Sequence, residues 1–364
     1  MQTYDEVTST NDVVKRAIEE GEPEGLAVGA LVQTAGYGRQ GRSWQSPAGG
    51  MYVSLLLRPQ VPLAQLPTLS LVTGMAVRRA IARFAAPETA ENVRIKWPND
   101  VVYSVVADAT TECSTLRGAE APHLAPCAGL GVGESQLGPA AGQSGAPRPR
   151  SLTLRTTSDV SNSAPQGGTL SQDDRRAKAV PLPPQERKSF APDRQEHGSC
   201  SANASVSLSL PFRKLAGISL ESHAGGICVG IGVNVYAPEG GAAPAAGGKN
   251  VPAYVADLAE RGGAAERLLP TVPAVRQAVL DAFADLYTTW CAKGFPALLS
   301  EYTAHEALAG RRVTVVNLDG DAMAEGVVQG VDEHGRLLVL PDGAAGTPPI
   351  PVSSGEAHIA FARP

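Results

Sequence analysis

The cations able to hold an anionic substrate fall in two short stretches. Gly36-Tyr37-Gly38-Arg39-Gln40-Gly41-Arg42 interleaves glycines with arginines, so its backbone N–H groups and guanidinium forks can close over a phosphate-bearing ligand. Taken alone, the same residues also read as an ordinary surface loop. Arg213-Lys214-Leu215-Ala216-Gly217-Ile218 sets adjacent cations at the start of an apolar strand. Strand alternation turns one of them inward, and a buried ammonium needs an anionic partner such as a substrate phosphate or carboxylate. The competing reading leaves both cations solvated at a strand end. Lys96-Trp97-Pro98-Asn99-Asp100 gathers a cation, an aromatic ring and a carboxylate at a turn, although Trp97 equally suits a core. Gly230-Ile231-Gly232-Val233-Asn234 permits close approach at alternate residues and ends in an amide suited to a base edge, a weak signal by itself.

Other chemistries fail on their parts. Gly36 to Gly41 fits the dinucleotide fingerprint G-x-G-x-x-G, but Ser43 to Gly50 cannot open the helix that the fingerprint requires, and no acidic residue ends a following strand. Neither a G-x-S-x-G elbow nor a Walker GxxxxGK[ST] motif occurs. His123-x₃-Cys127 and His197-x₂-Cys200 are too far apart in sequence to persuade as one zinc site. Five irregularly spaced cysteines are an odd number, so reduced thiols are expected rather than a disulfide framework. The formal net charge of -5 provides no global attraction for nucleic acid or acidic membranes. No apolar run reaches the roughly 20 residues of a membrane span. The start, MQTYDEVTSTND, carries no basic or apolar leader, so a soluble, cytoplasmic protein without a membrane partner is expected.

The elements that must position these groups read as follows. Ser9-Thr10-Asn11-Asp12 caps an apolar stripe that ends at Gly21, predicting a helix at about 11–20. Leu26–Thr34 and Met51–Leu57 read as strands joined by the Gly/Arg loop, and Leu66–Phe84 as a helix whose Arg78, Arg79 and Arg83 are solvated. Short strands are expected within 93–103, around the Pro-Asn-Asp turn, and within 213–235, as neighbours in one antiparallel sheet. Helices follow at about 252–260, 272–291 and 296–308. A β-rich tail from Arg312 to Ile359, with turns at Leu318-Asp319-Gly320 and Glu333-His334-Gly335, suggests a small barrel. Residues 104–212 collapse into Ser, Ala, Pro and Gly with mixed charges, a composition that buries too little apolar surface to offset ordering entropy, and are expected to be a disordered insertion. The chain thus divides into 1–103 with 213–308, the insertion, and 309–364. The fold class is α+β, a mixed or antiparallel sheet with flanking helices plus the C-terminal small β-barrel.

In order and spacing, STND, QTAGYGRQGRSW, KWPNDV, RKLAGISLE and GIGVNV resemble the catalytic domain of biotin protein ligases. The resemblance covers 3–103 and 213–308, with the tail similar to the family's C-terminal small barrel. It implies ATP-dependent activation of biotin to biotinyl-5′-AMP and transfer to a lysine of a biotin carboxyl carrier protein. Ser9, Thr10, Asn11 and Gln33 would line the biotin site, with Trp44 shaping its wall. The loop with Gly36, Gly38 and Gly41 would close over biotinyl-AMP, and Arg39 and Arg42 would hold its phosphate region. Lys214, beside Gly217, would contact the reacting oxygens, and Asn234 would read adenine. Mg²⁺ is expected with ATP, and Asp100 is left between positioning the loop and holding that metal.

Tyr37 departs from the pattern, because many members carry Arg there. The insertion also departs, since the family joins the KWPND and RKLAG strands by a tight hairpin. The first motif begins by Ser9, so no DNA-reading module and no sequence-specific DNA binding are expected. A homodimer stays open. Competing readings are a lipoate or octanoate transferase of the same fold, which the Gly/Arg loop and KWPND disfavour, and a non-catalytic biotin-binding regulatory protein.

Overall fold

Alternating apolar residues and helix stripes build two sheets. The structure, a computed structural model, describes residues 1–104, 152, 154, 212–239, 251–260, 269–343 and 346–359. These all fall in one compact unit, drawn from 1–157 and 210–364. The first sheet is eight-stranded. Its strands are β1 (Gln2–Val7), β2 (Ala27–Gln33), β3 (Gly50–Leu57), β4 (Val93–Lys96), β5 (Asp100–Ser104), β6 (Phe212–His223), β7 (Gly226–Asn234) and β8 (Val251–Pro252). The order runs β1-β2-β3-β7-β6-β5-β4, with β8 beside β6. It is mixed: β1 pairs parallel with β2 and β8 parallel with β6, while the others are antiparallel.

The whole of β3 is buried because both of its faces are covered. Val53, Leu55 and Leu57 join the large core, which includes α2 (Leu69–Ala82) and α5 (Val272–Lys293). Leu56 points the other way, into a small cluster with Val14, Ala17 and Ile18 of α1 (Thr10–Glu19). Period-2 alternation therefore makes a helix–sheet–helix sandwich. Short helices α3 (Pro87–Ala90), α4 (Val255–Glu260) and α6 (Leu299–Ala304) complete the unit.

The tail forms an antiparallel sheet of β9 (Arg312–Val316), β10 (Ala322–Val331), β11 (Leu337–Leu340), β12 (Ile350–Val352) and β13 (Glu356–Ile359), ordered β12-β11-β10-β9-β13. Both expected turns occur there, and their glycines, Gly320 and Gly335, take φ of 91° and 74°. Trp97 ties the two sheets: its ring is buried, and Nε1 donates to Gly335 O at 3.1 Å.

Two expectations need correction, and one further strand joins the sheet. The helix expected over 296–308 is a 3₁₀ turn at Phe295–Ala297 followed by α6. It stops because the chain pairs with β4 instead: Ile95 N donates to His305 O at 2.8 Å and Ala307 N to Ile95 O at 2.9 Å. The α2 arginines are not all solvated. Arg78 donates to Val93 O and Ala90 O, and Arg79 grips both carboxylate oxygens of Glu301. Finally, β1 was not anticipated, because Gln2-Thr3-Tyr4-Asp5-Glu6-Val7 is an exposed edge strand without apolar alternation.

Of the expected insertion, Ser104, Phe212, Leu152 and Leu154 are described, and the two leucines are half-buried against the large core. Ser104 pairs with Phe212 across β5 and β6, so the segment leaves and re-enters the sheet at adjacent residues. The rest of that expectation, with the paired His and Cys considered for zinc, lies outside the described residues.

Candidate active site

A cavity of about 630 Å³ opens over β6 and β7 and brings most of the expected residues together. Its size suits a cofactor-sized ligand. Thr10, Asn11, Gln33, Gly38, Arg39, Arg42, Trp44, Asp100, Lys214, Gly217 and Asn234 all line it. Ser9 sits behind the wall as the N-cap of α1, its Oγ accepting from Asn11 N at 3.3 Å. Gly36 and Gly41 shape the loop from outside the lining. A Cβ at Gly36 would come 2.5 Å from Ser46 Oγ, and Gly41 takes φ 69°. Gln40, at φ 62°, shares the left-handed region without glycine's freedom.

One end of the cavity is a neutral polar set on the first turn of α1. Gln33 Oε1 accepts from Thr10 N at 2.8 Å and from Thr10 Oγ1 at 3.1 Å, while Gln33 Nε2 donates to Ser46 Oγ at 2.8 Å. Asn11 Nδ2 donates to Ser219 Oγ at 3.1 Å. Ser54, wholly buried in β3, stands 2.7 Å from Thr10 Oγ1 and 2.6 Å from Asn11 Oδ1. A Cβ at Gly230 would come 2.4 Å from Asn11 Oδ1, so only glycine there admits this amide.

The other end is cationic. Between Val101 and Val102 the β5–β6 register shifts, leaving Leu215 as an extra residue in β6. This bulge resets the alternation, so Lys214 and Gly217, three apart, share the cavity face; a Cβ at Gly217 would meet Lys214 Cε at 3.2 Å. Lys214 Nζ lies 2.7 Å from Asp100 Oδ1 and 5.1 Å from the Trp44 ring centroid. The Trp44 indole rests against Gly217 and Gly232, where added Cβ atoms would come within 2.9 and 2.8 Å. Its Nε1 is buried and meets no acceptor among the described residues. Asn234 Nδ2 donates to Lys214 O at 3.0 Å, joining the adenine-reading candidate to the strand that carries the lysine.

The Gly/Arg loop is a small hairpin: Gly38 N donates to Arg42 O and Trp44 N to Gly36 O, both at 2.8 Å. Its arginines reach the C-terminal sheet. Arg39 Nη1 donates to Gly355 O at 3.0 Å, and Arg42 Nη2 lies 2.7 Å from Glu356 Oε2. Burial lowers the Arg39 pKa and the neighbouring Arg42 adds to this, while Asp100 and Glu356 act against it. Arginine remains charged under such shifts.

Sequence reasoning did not find Ser54, Ser219, Glu356 or the partners of Tyr37. A serine within the apolar run of β3 was the one visible signal for Ser54; nothing local marks Glu356, which arrives from more than 300 residues away in sequence.

Fold and cavity define a protein with a mixed-sheet domain and a C-terminal β domain. The cavity of its site has a neutral hydrogen-bonding end and a cationic end. Residues 4–113 match the Biotin/lipoate A/B protein ligase family, and residues 309–358 match the Biotin protein ligase C terminal domain. Over 100 residues the chain is 40% identical to the Bifunctional ligase/repressor BirA of Bacillus subtilis, covering 27% of this chain and 30% of that protein. It is 39% identical over 97 residues to a Biotin--[acetyl-CoA-carboxylase] ligase of Mycobacterium tuberculosis, covering 26% of this chain and 36% of the relative. The matched stretch thus spans about a third of these curated relatives. Among solved structures, the biotin protein ligase from Aquifex aeolicus in complex with biotin and ATP aligns over 98% of this chain and 97% of its own, with a TM-score of 0.55 at 18% identity. Both domain models and the partial sequence matches are similarities to biotin protein ligases, and the overall fold is similar to theirs.

Proposed function

We propose that this chain activates biotin with ATP and transfers the biotinyl group to a lysine of a biotin carboxyl carrier protein. The observation that carries the reading is Lys214, held by Asp100 over Trp44 in the same cavity as the loop arginines and the Thr10–Asn11–Gln33 set. A cyclic urea needs neutral donors and acceptors, which the α1 end supplies. A carboxylate approaching a phosphate needs cations, which the other end supplies.

In the first step a biotin carboxylate oxygen attacks the α-phosphorus of ATP and pyrophosphate leaves. In the second, the carrier lysine amine attacks the acyl carbon, AMP leaves with the bonding pair, and the amine proton passes to solvent. Neither step uses a nucleophile of the protein. Cys228, behind Asn11, is pushed up to about 12 by burial and stays a neutral thiol. Among the described residues no three His, Cys, Asp or Glu side chains converge as a metal cage. Asp100 is engaged by Lys214, so a Mg²⁺ arriving with ATP would draw its ligands mainly from phosphates and water.

The match to the biotin protein ligase C-terminal domain supports this reading over a lipoate or octanoate transferase. No helix among the described residues is long and apolar enough to cross a membrane. Biotin-dependent exchange of labelled pyrophosphate into ATP tests the proposal. Exchange that requires biotin supports it, and exchange with lipoate or octanoate but not biotin would replace it with the transferase reading.

A further inference from the structure

Tyr37, where the resemblance leads one to expect arginine, is bound to α1 rather than left in the open loop. Its hydroxyl donates to Asp12 Oδ1 at 2.7 Å and accepts from Lys15 Nζ at 3.0 Å. Lys15 is also ion-paired with Glu221 of β6, and its ammonium stands 5.1 Å from the Tyr37 ring centroid. Asp12 and Lys15 lie on the helix whose first turn carries Thr10 and Asn11 of the cavity wall. An arginine at position 37 would set a second cation against Lys15. The neutral phenol joins the acid and the base without that repulsion.

We propose that Tyr37 is a positioning residue, a latch that fixes the 36–44 hairpin to α1 before any ligand arrives and so prolongs the stay of the acyl adenylate beneath the loop. The hairpin is tied across its width: Tyr37 pairs with Ser43, and the Gly38–Arg42 and Gly36–Trp44 bonds close it. Pinning one residue therefore orders all of it, and the ordering cost of closure is met before binding. Burial pushes the Tyr37 hydroxyl up to about 12, against the effect of the Lys15 bond and with that of Asp12, so the phenol keeps the proton it donates. Burial lowers the Lys15 pKa, but its bonds with Glu221 and Tyr37 outweigh this and raise it, so the ammonium stays charged.

The adenylate half of this inference rests on the functional reading above; the latch itself does not. Two measurements separate them. Hydrogen exchange of the ligand-free chain should show protected Gly38 and Trp44 amides, with protection falling roughly tenfold in Tyr37→Phe, as loss of a charge-assisted hydrogen bond implies. Release of pre-formed biotinyl-AMP should quicken by roughly the same factor, with Tm lowered by no more than a few degrees. Asp12→Ala should do likewise, and the double variant should add little, because both remove one interaction. Unaltered loop exchange in Tyr37→Phe overturns the latch. Altered exchange with unaltered adenylate release overturns its role in retention. A wild-type chain that makes no biotinyl-AMP would sink the functional reading and the retention role with it, leaving the latch to stand or fall on the exchange data.

Discussion

Lys214 Nζ lies 2.7 Å from Asp100 Oδ1, with both side chains mostly withdrawn from solvent. The pair sits where the β5–β6 bulge turns Lys214 into the cavity, and Asp100 lies opposite Gly217 in that register. Lys214→Ala should lower kcat/KM for adenylation by about 100-fold, the scale of losing one donor to a developing negative charge. Asp100→Asn keeps the shape but not the charge, so its effect should be smaller, about tenfold. Pyrophosphate exchange measures both, and a wild-type rate in Lys214→Ala removes the lysine from the mechanism.

Ser54 orients two ligand-facing residues from behind the wall. Its hydroxyl lies 2.6 Å from Asn11 Oδ1 and 2.7 Å from Thr10 Oγ1, and it is wholly buried. Ser54→Ala removes the buried hydroxyl that holds these two side chains in place and should raise the KM for biotin by about tenfold, with the KM for ATP unchanged. An equal rise for both substrates would mean a general loss of structure instead.

A pH dependence of stability should come from Glu306, buried where the chain pairs with β4. Burial pushes its carboxyl up to about 7, against the backbone N–H groups of Leu308 and Ala309 that lower it. Its Oε1 accepts from Leu308 N at 2.8 Å, and Oε2 is buried without a partner among the described residues. The native state therefore keeps a proton that the unfolded chain releases. Unfolding free energy should fall as pH rises from about 4.5 to about 7 and level off above, by on the order of 3 kcal/mol. Denaturant melts across that range should show the slope, and Glu306→Gln should flatten it.

The excursion between β5 and β6 begins and ends at paired residues, Ser104 and Phe212. Replacing 105–211 with a short Gly-containing turn should therefore preserve the sheet and the cavity. Among the described residues, the loss is that of the half-buried contacts of Leu152 and Leu154. Because closure entropy grows only logarithmically with loop length, the shorter connection offsets part of that loss. Tm and pyrophosphate exchange of the deletion variant measure the balance, and an unfolded product would give the segment a structural role.

Much of this was legible in the sequence where local rules act alone. Ser9 caps α1 as its spacing indicates, and of the adjacent cations one is exposed, Arg213, while the other, Lys214, faces the cavity. The rest depended on distant partners. A bulge at Leu215, not simple alternation, decides which face Lys214 takes. The backbone of β4 ends α6 early by pairing with 305–307, against a helical pattern. Arg42 meets Glu356 from the far end of the chain, and no spacing rule relates them.

Incubating the chain with biotin, ATP, Mg²⁺ and a biotin carboxyl carrier domain, then weighing the carrier by intact-mass spectrometry at timed intervals, tests the proposed reaction. One biotinyl group should appear on the carrier lysine, dependent on ATP and formed about 100-fold more slowly by Lys214→Ala. An unmodified carrier with the folded wild-type chain, or modification by Lys214→Ala at the wild-type rate, would contradict that reaction.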